Sequence, residues 1–398
     1  MRRSQATAAT DAPVRVLTAA EARRFLVAHH GLCVPLAGAP DAACRALLNE
    51  RRCIQLDPLD MVGTNADLVA MARIDGLRKG DIYRHLMPGH AFEHFAKERC
   101  LLPASAFPWY RTHIAQTDWW SFTKRLDRLP EGLVDKVLAL VAEHGPISAE
   151  GLDKIGDFGR VDPMDWSGWR GTSRASAMAL EVLWTRCDVV VAGRDRRGKL
   201  WDVPTRALPA HHAKLRGKKR QRDAFLAWSL TERAHAAGLL SRAAGPHWSM
   251  LSEARTTSLP DELIAAGVLE EVAVEGAKRT YLAPAGAIDR IAAATIEPDD
   301  RMRILGPLDS LLWDRKLVEH AFGFEYIWEV YKPAAQRRWG YYVCPLLHRG
   351  QLVGRFEGRV VAGQLEVLGL WKEPGQRFEM RAWKTALARH EAALVGAR

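Results

Sequence analysis

The order helix, helix, helix, basic hairpin, found in the middle of the chain, constrains the fold more than any other feature of the sequence. Amphipathic spacing predicts a helix over 131–143, a short helix over 148–155 and a third helix over 173–186. Alternating valines and a turn rich in glycine and cations then predict a β-hairpin over 188–203. This order is typical of a winged helix-turn-helix unit.

The same order recurs about 80 residues further along the chain. A helix is predicted over 222–236, the end of a short helix over 260–266 and a hairpin over 267–283, with Lys278 and Arg279 at its turn. The two copies match in pattern and not in identity. They indicate tandem winged-helix units.

The N-terminal part is predicted to be largely helical. The segment from Thr18 to Glu21 has the spacing of a capping box, so a helix is predicted to begin there. A second helix is predicted over 41–52. Helical spacing over 91–100 predicts a further helix, which ends before Pro103.

The C-terminal part differs from the tandem copies. Short strands are predicted over 340–347, 351–357 and 365–371, and a closing helix over 382–394. We therefore predict an α+β fold, in which tandem winged helix-turn-helix units are followed by a small antiparallel β-rich C-terminal part.

The charge balance points towards a class of partner. The chain carries 57 Lys and Arg residues against 47 Asp and Glu, a formal net charge of +10, together with 14 tryptophans. A basic excess with flat aromatic side chains favours a nucleic-acid partner. A genome that favours arginine over lysine would give the same excess, so composition leaves that alternative open.

Several classes of protein are excluded by what the sequence lacks. It has no apolar run of about 18 residues, and its N-terminus lacks the apolar core of a secretory signal. The six cysteines form no C-x-x-C pair, so we expect buried thiols, no metal and a cytoplasmic, nucleoid-associated protein. P-loop, dinucleotide-binding, zincin and serine-hydrolase motifs are absent, so we expect no cofactor.

The most informative short motif is Ile54-Gln55-Leu56-Asp57, which stands just before Pro58. Alternation along a strand places Gln55 and Asp57 on one face. A carboxylate can deprotonate a water and stabilise a developing cation, and an amide can hold that water with one donor and one acceptor. A polar pair that satisfies the backbone at a strand end would have the same sequence, and this alternative stays open.

Longer stretches extend the motif over nearly the whole chain. They are IQLDPL (54–59), ERCLLP (98–103), GPLDSLLWDR (306–315), FGFEYIWEVYKPAAQRRWGYYVCPLLHRGQLVGR (322–355) and LEVLGLW (365–371). On these stretches the chain resembles the winged-helix DNA glycosylase family of the AlkZ and YcaQ type. It is most similar to the YcaQ-like branch, whose motif is Gln-apolar-Asp.

The resemblance implies three winged-helix units and a β-rich part around a concave, basic cleft. The first unit would carry the Gln-apolar-Asp motif. The expected divisions are a disordered tail at 1–14, winged-helix units at 15–125, 126–210 and 215–298, and a C-terminal domain at 299–398.

The resemblance also implies an activity. The protein would be a monofunctional, metal-independent glycosylase that hydrolyses the N-glycosidic bond of N7-alkylated purines and unhooks interstrand crosslinks. Asp57 would activate the water and stabilise the oxocarbenium-like sugar, and Gln55 would position the water. The implied partner is double-stranded DNA with alkylated or crosslinked purines. We expect a monomer with no membrane partner.

This chain departs from the YcaQ-like branch near the motif. Members carry an Arg and an aromatic or His residue where this chain has Thr64 and Asp67, and the family often has a His where this chain has Lys97. A branch that acts on other lesions and one that has lost activity both stay open.

Polar residues near the motif are candidates for lining the cleft. The candidates are Thr64, Asn65, His90, His94 and Lys97. The helix predicted over 91–100 would carry His94 and Lys97, and a solvated helix face is the alternative interpretation.

Basic turns supply candidate DNA contacts. Groove or phosphate contacts arise at the front of a third helix, at wing turns and at loops that carry cations with an indole. The candidates are Arg170, Arg174, Arg194, Arg196, Arg197, Lys199, Lys278, Arg279, Gln336, Arg337, Arg338 and Trp339. Charged hairpin tips are often merely solvated, and Trp339, at a predicted hairpin tip, has packing on the sheet as its alternative.

Two other functional classes stay open. A non-catalytic winged-helix DNA-binding protein, such as a transcription regulator, would tolerate Asp57→Asn with little change. An RNA-binding module would prefer single-stranded RNA, although the sequence has no RRM or KH signature.

Overall fold

The structure is a computed structural model. It describes residues 14–112, 120–162, 172–196, 198–213 and 222–395. Two compact units divide the chain: residues 36–225 with 392–398 form one, and residues 1–35 with 226–391 form the other. We call them the motif unit and the terminal unit. The finer divisions predicted from the sequence stay a prediction.

Helices and short strands alternate along the described chain. The α-helices are α1 (Ala19–His29), α2 (Pro40–Arg51), α3 (Asn65–Met71), α4 (Asp81–Leu86), α5 (Phe107–Thr112), α6 (Trp120–Leu126), α7 (Leu133–His144), α8 (Ala149–Ile155), α9 (Ala175–Thr185), α10 (Pro204–Ala207), α11 (Ala210–Ala213), α12 (Arg222–Ala237), α13 (Ser252–Arg255), α14 (Leu259–Ala265), α15 (Ala287–Ala294), α16 (Arg315–Phe322) and α17 (Met380–Val395).

The strands form several small sheets. They are β1 (Arg15–Leu17), β2 (Ile54–Gln55), β3 (Ala91–Ala96), β4 (Glu98–Pro103), β5 (Arg160–Val161), β6 (Ser173–Arg174), β7 (Val190–Asp195), β8 (Gly198–Asp202), β9 (Leu240–Ser241), β10 (Leu269–Val274), β11 (Thr280–Pro284), β12 (Met302–Ile304), β13 (Val343–His348), β14 (Gln351–Val361) and β15 (Gln364–Lys372). The predicted α+β class is confirmed.

The motif unit contains the winged helix predicted from 131–203. Helices α7, α8 and α9 precede the antiparallel hairpin of β7 and β8. Ile147, between α7 and α8, forms an isolated antiparallel bridge with Trp201 on β8. The segment between α7 and α8 therefore pairs with β8 as a third, single-residue strand beside the hairpin.

The same arrangement occurs earlier in the motif unit. Helices α2, α3 and α4 precede the β3–β4 hairpin, and β2, which follows α2, pairs with β4 in the order β2-β4-β3. Gln55 thereby lies opposite Cys100. The Gln-apolar-Asp motif begins on β2 of this first winged helix.

The helix predicted over 91–100 is wrong, because this segment forms β3 and the start of β4. The first four residues of β3 are buried on both faces of the strand. Phe92 packs edge-on against Tyr110, with ring centroids 5.6 Å apart, and the side chain of Glu93, one residue on, is fully buried. A strand buried on both faces loses the polar–apolar alternation that marks a strand in a sequence.

The terminal unit contains a third copy of the arrangement. After α12, the short strand β9 pairs with β11, and α13 and α14 precede the β10–β11 hairpin. Strand β1 extends this sheet by pairing in parallel with β10. The capping box predicted for α1 is confirmed, because the Thr18 hydroxyl and the Glu21 carboxylate each bond the backbone N–H of the other.

The C-terminal part of the terminal unit is an antiparallel sheet in the order β12-β13-β14-β15. Helix α17 closes the chain, as predicted, and Trp383 on it packs against Phe356 of β14, with ring centroids 5.2 Å apart. The six cysteines are free thiols and all are buried, which confirms that prediction. Within the described residues no helix is both long and apolar enough to cross a membrane.

The core of the motif unit joins its two winged helices. It includes Val141 of α7, Leu152 of α8 and Leu180 of α9 with Trp201 of β8, and residues of α2, α3 and β2 belong to the same cluster. Burial of this apolar surface is the main source of stability for the scaffold that carries the motif.

Replacing Leu180 by Ala is expected to lower the free energy of unfolding by about 2–5 kcal/mol, because the fully buried side chain would leave a cavity. Urea denaturation of the full chain measures this loss. Ile155→Ala is the control, since Ile155 is exposed and the change is expected to stay within about 0.5 kcal/mol. Equal losses for both variants would contradict the assignment of Leu180 to the core.

Candidate active site

Gln55 ends strand β2 and is held at both its backbone and its side chain. Its backbone carbonyl accepts a hydrogen bond from Asn65 Nδ2 at 2.8 Å. Its side-chain Oε1 accepts one from Lys97 Nζ at 2.9 Å. Gln55, Asn65 and Lys97 are all buried. The amide of the motif therefore has a fixed place in the first winged helix.

Asp57 follows β2 and precedes Pro58. Its Oδ1 accepts a hydrogen bond from the backbone N–H of Leu59 at 2.8 Å, which makes a local turn. Asp57 is half-buried. Burial raises the pKa of Asp57, while the bond from Leu59 acts in the opposite direction. The carboxylate is therefore a better proton acceptor than an exposed aspartate.

Thr64 and Asp67, two of the departures from the family pattern, form the N-terminal cap of α3. Thr64 Oγ1 donates to Asp67 Oδ2 at 2.7 Å, and the backbone N–H of each residue bonds the side chain of the other. Asp67 Oδ1 also accepts from the backbone N–H of Gly80 at 2.7 Å. The cap fixes the start of the helix that carries Asn65.

Lys97, the third departure, lies at the tip of the β3–β4 hairpin. The next residue, Glu98, has a φ of 58°, which reverses the chain tightly. The backbone carbonyl of Lys97 accepts from Cys100 Sγ at 3.1 Å. Because Gln55 pairs with Cys100, this turn brings the ammonium to the Gln55 side chain. The sequence did not predict the contact, since 91–100 was expected to be a helix.

His94 does not lie on a solvated helix face, because it is buried on β3. Its ring stacks on Trp184, with centroids 4.8 Å apart and 28° between the planes, and it packs on Tyr110. Burial lowers the pKa of His94 to about 4, so the ring is neutral near pH 7. Its surroundings are those of a core residue.

His90 is exposed and precedes β3. It lines a cavity of about 500 Å³ whose other basic residues are Arg45, Arg52, His211 and His212. Gln55, Asp57 and Lys97 are not among the residues that line this cavity. The structure therefore does not bring His90 together with the motif residues.

Two cations of the wing formed by β7 and β8 are paired with carboxylates of the motif unit. Arg194 forms an ion pair with the fully buried Glu93, and its guanidinium lies 4.9 Å from the ring centroid of Tyr83. Lys199 Nζ lies 3.4 Å from Glu181. Burial raises the pKa of Glu181, but the charges of Arg99 and Lys199 outweigh this effect and hold the pKa below its usual range.

Besides Arg194, two predicted DNA contacts in the motif unit are exposed to solvent. Arg196 lies at the wing turn. Arg174 stands immediately before α9 and lies 3.3 Å from Asp153. Arg170 and Arg197 lie outside the described residues.

In the terminal unit, the predicted wing turn lies between β10 and β11. Lys278 is exposed there, and Arg279 lies 3.9 Å from Asp314. Both residues are therefore at the turn where the sequence placed them.

The segment Gln336–Trp339 is not the tip of a hairpin, which corrects that prediction. The buried carboxylate of Glu329 accepts from the backbone N–H groups of Arg338 at 3.1 Å and Trp339 at 2.7 Å, and so folds the segment back. Gln336 is exposed, and Arg337 donates to the carbonyl of Lys332 at 2.9 Å. A short helical turn and irregular chain precede β13.

Trp339 packs on the C-terminal sheet. Its ring lies 4.5 Å from the guanidinium of Arg338 and 4.2 Å from that of Arg355, and it meets Trp371 edge-on. Arg338 also forms an ion pair with Glu325 at 2.9 Å. These contacts favour the packing interpretation of Trp339 over insertion into a DNA groove.

Comparison with known families places the chain in a class of enzyme. The family model "DNA glycosylase AlkZ-like" matches residues 48–394, so the chain belongs to that family of DNA glycosylases. Among solved structures, it is similar to the Streptomyces sahachiroi DNA glycosylase AlkZ. That match has a TM-score of 0.61 and 16% sequence identity, and it covers 96% of this chain and 97% of the other. This likeness shows a shared fold.

Arg194→Met is expected to lower the free energy of unfolding by about 3 kcal/mol, because it leaves the carboxylate of Glu93 buried without its cation. Arg196→Gln is the matched control on the same wing and is expected to leave stability unchanged. Thermal and urea unfolding of both variants measure the difference. Unchanged stability in Arg194→Met would show that this arginine serves the surface and not the fold.

Proposed function

We propose that this protein hydrolyses the N-glycosidic bond of N7-alkylated purines in DNA and unhooks interstrand crosslinks between such bases. The observation that supports this best is that one winged helix carries, two positions apart, a buried and positioned amide, Gln55, and a half-buried carboxylate of raised pKa, Asp57. This unit belongs to a chain of the DNA glycosylase family.

Hydrolysis of this N-glycosidic bond does not require a strong general acid to protonate the leaving base. A purine alkylated at N7 is already cationic and leaves as a neutral base. The remaining requirements are stabilisation of an oxocarbenium-like sugar and delivery of a water to it. The carboxylate of Asp57 supplies negative charge close to the developing cation and accepts a proton from the water.

The balanced reaction is a hydrolysis. The bond between C1′ of the sugar and the purine nitrogen breaks, and its electron pair leaves with the base. A water oxygen forms the new bond to C1′ as its proton passes to Asp57. The product is an abasic site in an intact strand, so the enzyme is monofunctional.

A non-catalytic winged-helix DNA-binding protein is the alternative. The exposed cations Arg174 and Arg196 suit phosphate contacts in either case. The two functions differ at Asp57, since a regulator has no use for a carboxylate that accepts a proton.

Asp57→Asn is expected to lower base release by about 10²–10⁴-fold and to leave DNA affinity nearly unchanged. The assay uses duplex DNA with N7-methylguanine or a nitrogen-mustard crosslink, followed by alkali to cleave abasic sites. Asp60→Asn is the control, because Asp60 is an exposed carboxylate three positions away that pairs with Lys79. Equal activity in the wild type and Asp57→Asn would refute the proposal, as would no cleavage of either substrate.

The pH dependence of base release tests the state of the carboxylate. Asp57 acts when ionised, so the rate is expected to fall as pH decreases through its pKa. Because burial raises that pKa, the fall is expected at a higher pH than the value of about 3.9 for an exposed aspartate. Single-turnover rates from pH 4 to 8, with far-UV circular dichroism to verify folding, measure it. A rate that stays constant down to pH 4 would contradict the role of burial.

A further inference from the structure

We propose that Lys97 is a positioning residue that fixes the carboxamide of Gln55, so that its amino end faces the reacting water and its oxygen does not. This inference rests on the proposed function. It assigns a role to the residue that stands where the family often has a histidine.

The contact itself determines which end of the amide faces the lysine. An ammonium carries donors and no acceptor, so the Gln55 atom 2.9 Å from Lys97 Nζ is the carbonyl oxygen Oε1. Because Oε1 and Nε2 share one carbon in a planar group, Nε2 points away from the ammonium. A glutamine without this partner could present either end.

Burial gives the contact its strength. Gln55 and Lys97 are 7% and 6% exposed, so little water competes for the hydrogen bond. A bond from a charged donor to a carbonyl in such surroundings is stronger than one between neutral groups in water. Reversal of the amide would place its N–H groups against the ammonium.

Both partners are anchored by their own backbones. The carbonyl of Gln55 is held by Asn65 Nδ2, and the cap formed by Thr64 and Asp67 fixes the helix of Asn65. The Lys97 backbone is held in the tight β3–β4 turn by Cys100 Sγ. The backbone of Gln55 is therefore held by the pairing of β2 and by α3, and its carboxamide is held from the hairpin.

This orientation divides the work between the two motif residues. Nε2 of Gln55 donates to the oxygen of the water, and the water donates its proton towards Asp57. The second lone pair of the water oxygen is left for attack on C1′. Asp57 is the proton acceptor, and Gln55 sets the direction of attack.

A double-mutant cycle tests this role. Lys97→Met keeps much of the apolar stem and removes the charge, and it is combined with Gln55→Ala. Lys97→Met alone is expected to lower the single-turnover rate about tenfold or more, with the Kd for DNA unchanged. In the Gln55→Ala background the same change is expected to have little further effect, because the two residues act as one unit. Lys97→Arg, which keeps a cationic donor, is expected to restore part of the rate.

The controls separate this inference from the proposed function. Lys384→Met removes an exposed lysine of α17 and is expected to keep the wild-type rate. Two outcomes would overturn the role of Lys97 and leave the proposed function standing. One is full additivity of the Lys97 and Gln55 changes. The other is a wild-type rate for Lys97→Met when Asp57→Asn has lost most of its activity. If Lys97→Met does not fold, the cycle is run with Lys97→Gln, which lacks the charge and leaves either amide orientation open. A wild-type rate in Asp57→Asn would overturn the proposed function instead.

Discussion

The pairing of the short strand β2 with β4 is the interaction on which the candidate site depends. It spans only two residue pairs, Ile54 with Leu101 and Gln55 with Cys100. It nevertheless directs Ile54 into the core of the motif unit and places Gln55 next to the tip of the β3–β4 hairpin. A shift by one residue would exchange the two faces of the strand, so the apolar core enforces the register of the Gln-apolar-Asp motif.

Buried carboxylates explain why the positions of the basic residues do not by themselves identify the DNA contacts. The fully buried Glu93 needs a counterion, and Arg194 of the wing supplies it. Glu181 binds Arg99 and Lys199 in the same unit. An unpaired carboxylate in such places would be costly, so these cations serve the fold first.

Local signals carried most of what could be predicted from the sequence. The capping box at Thr18, the wing over 188–203 and the closing helix depend on neighbouring residues, and the structure has all three. The first winged helix was found only through resemblance, because β3 is buried on both faces. The packing of Trp339 depends on Glu329, whose bonds to the backbone give no local pattern. The contact of Lys97 with Gln55 joins residues that are 42 positions apart, and it follows from strand pairing.

The surroundings act on the two polar residues of the motif in different ways: burial changes the pKa of Asp57, and a hydrogen bond orients the side chain of Gln55. The pKa of Asp57 is raised by burial and moderated by one backbone N–H, so its basicity comes from its surroundings. A cation bonded to this carboxylate would lower its pKa and weaken it as a base. Lys97 instead donates a hydrogen bond to the neutral carboxamide of Gln55. A carboxamide does not titrate near neutral pH, so the bond sets its orientation and changes no pKa of the amide. A lysine at this position therefore orders the site without weakening the base that the proposed reaction requires.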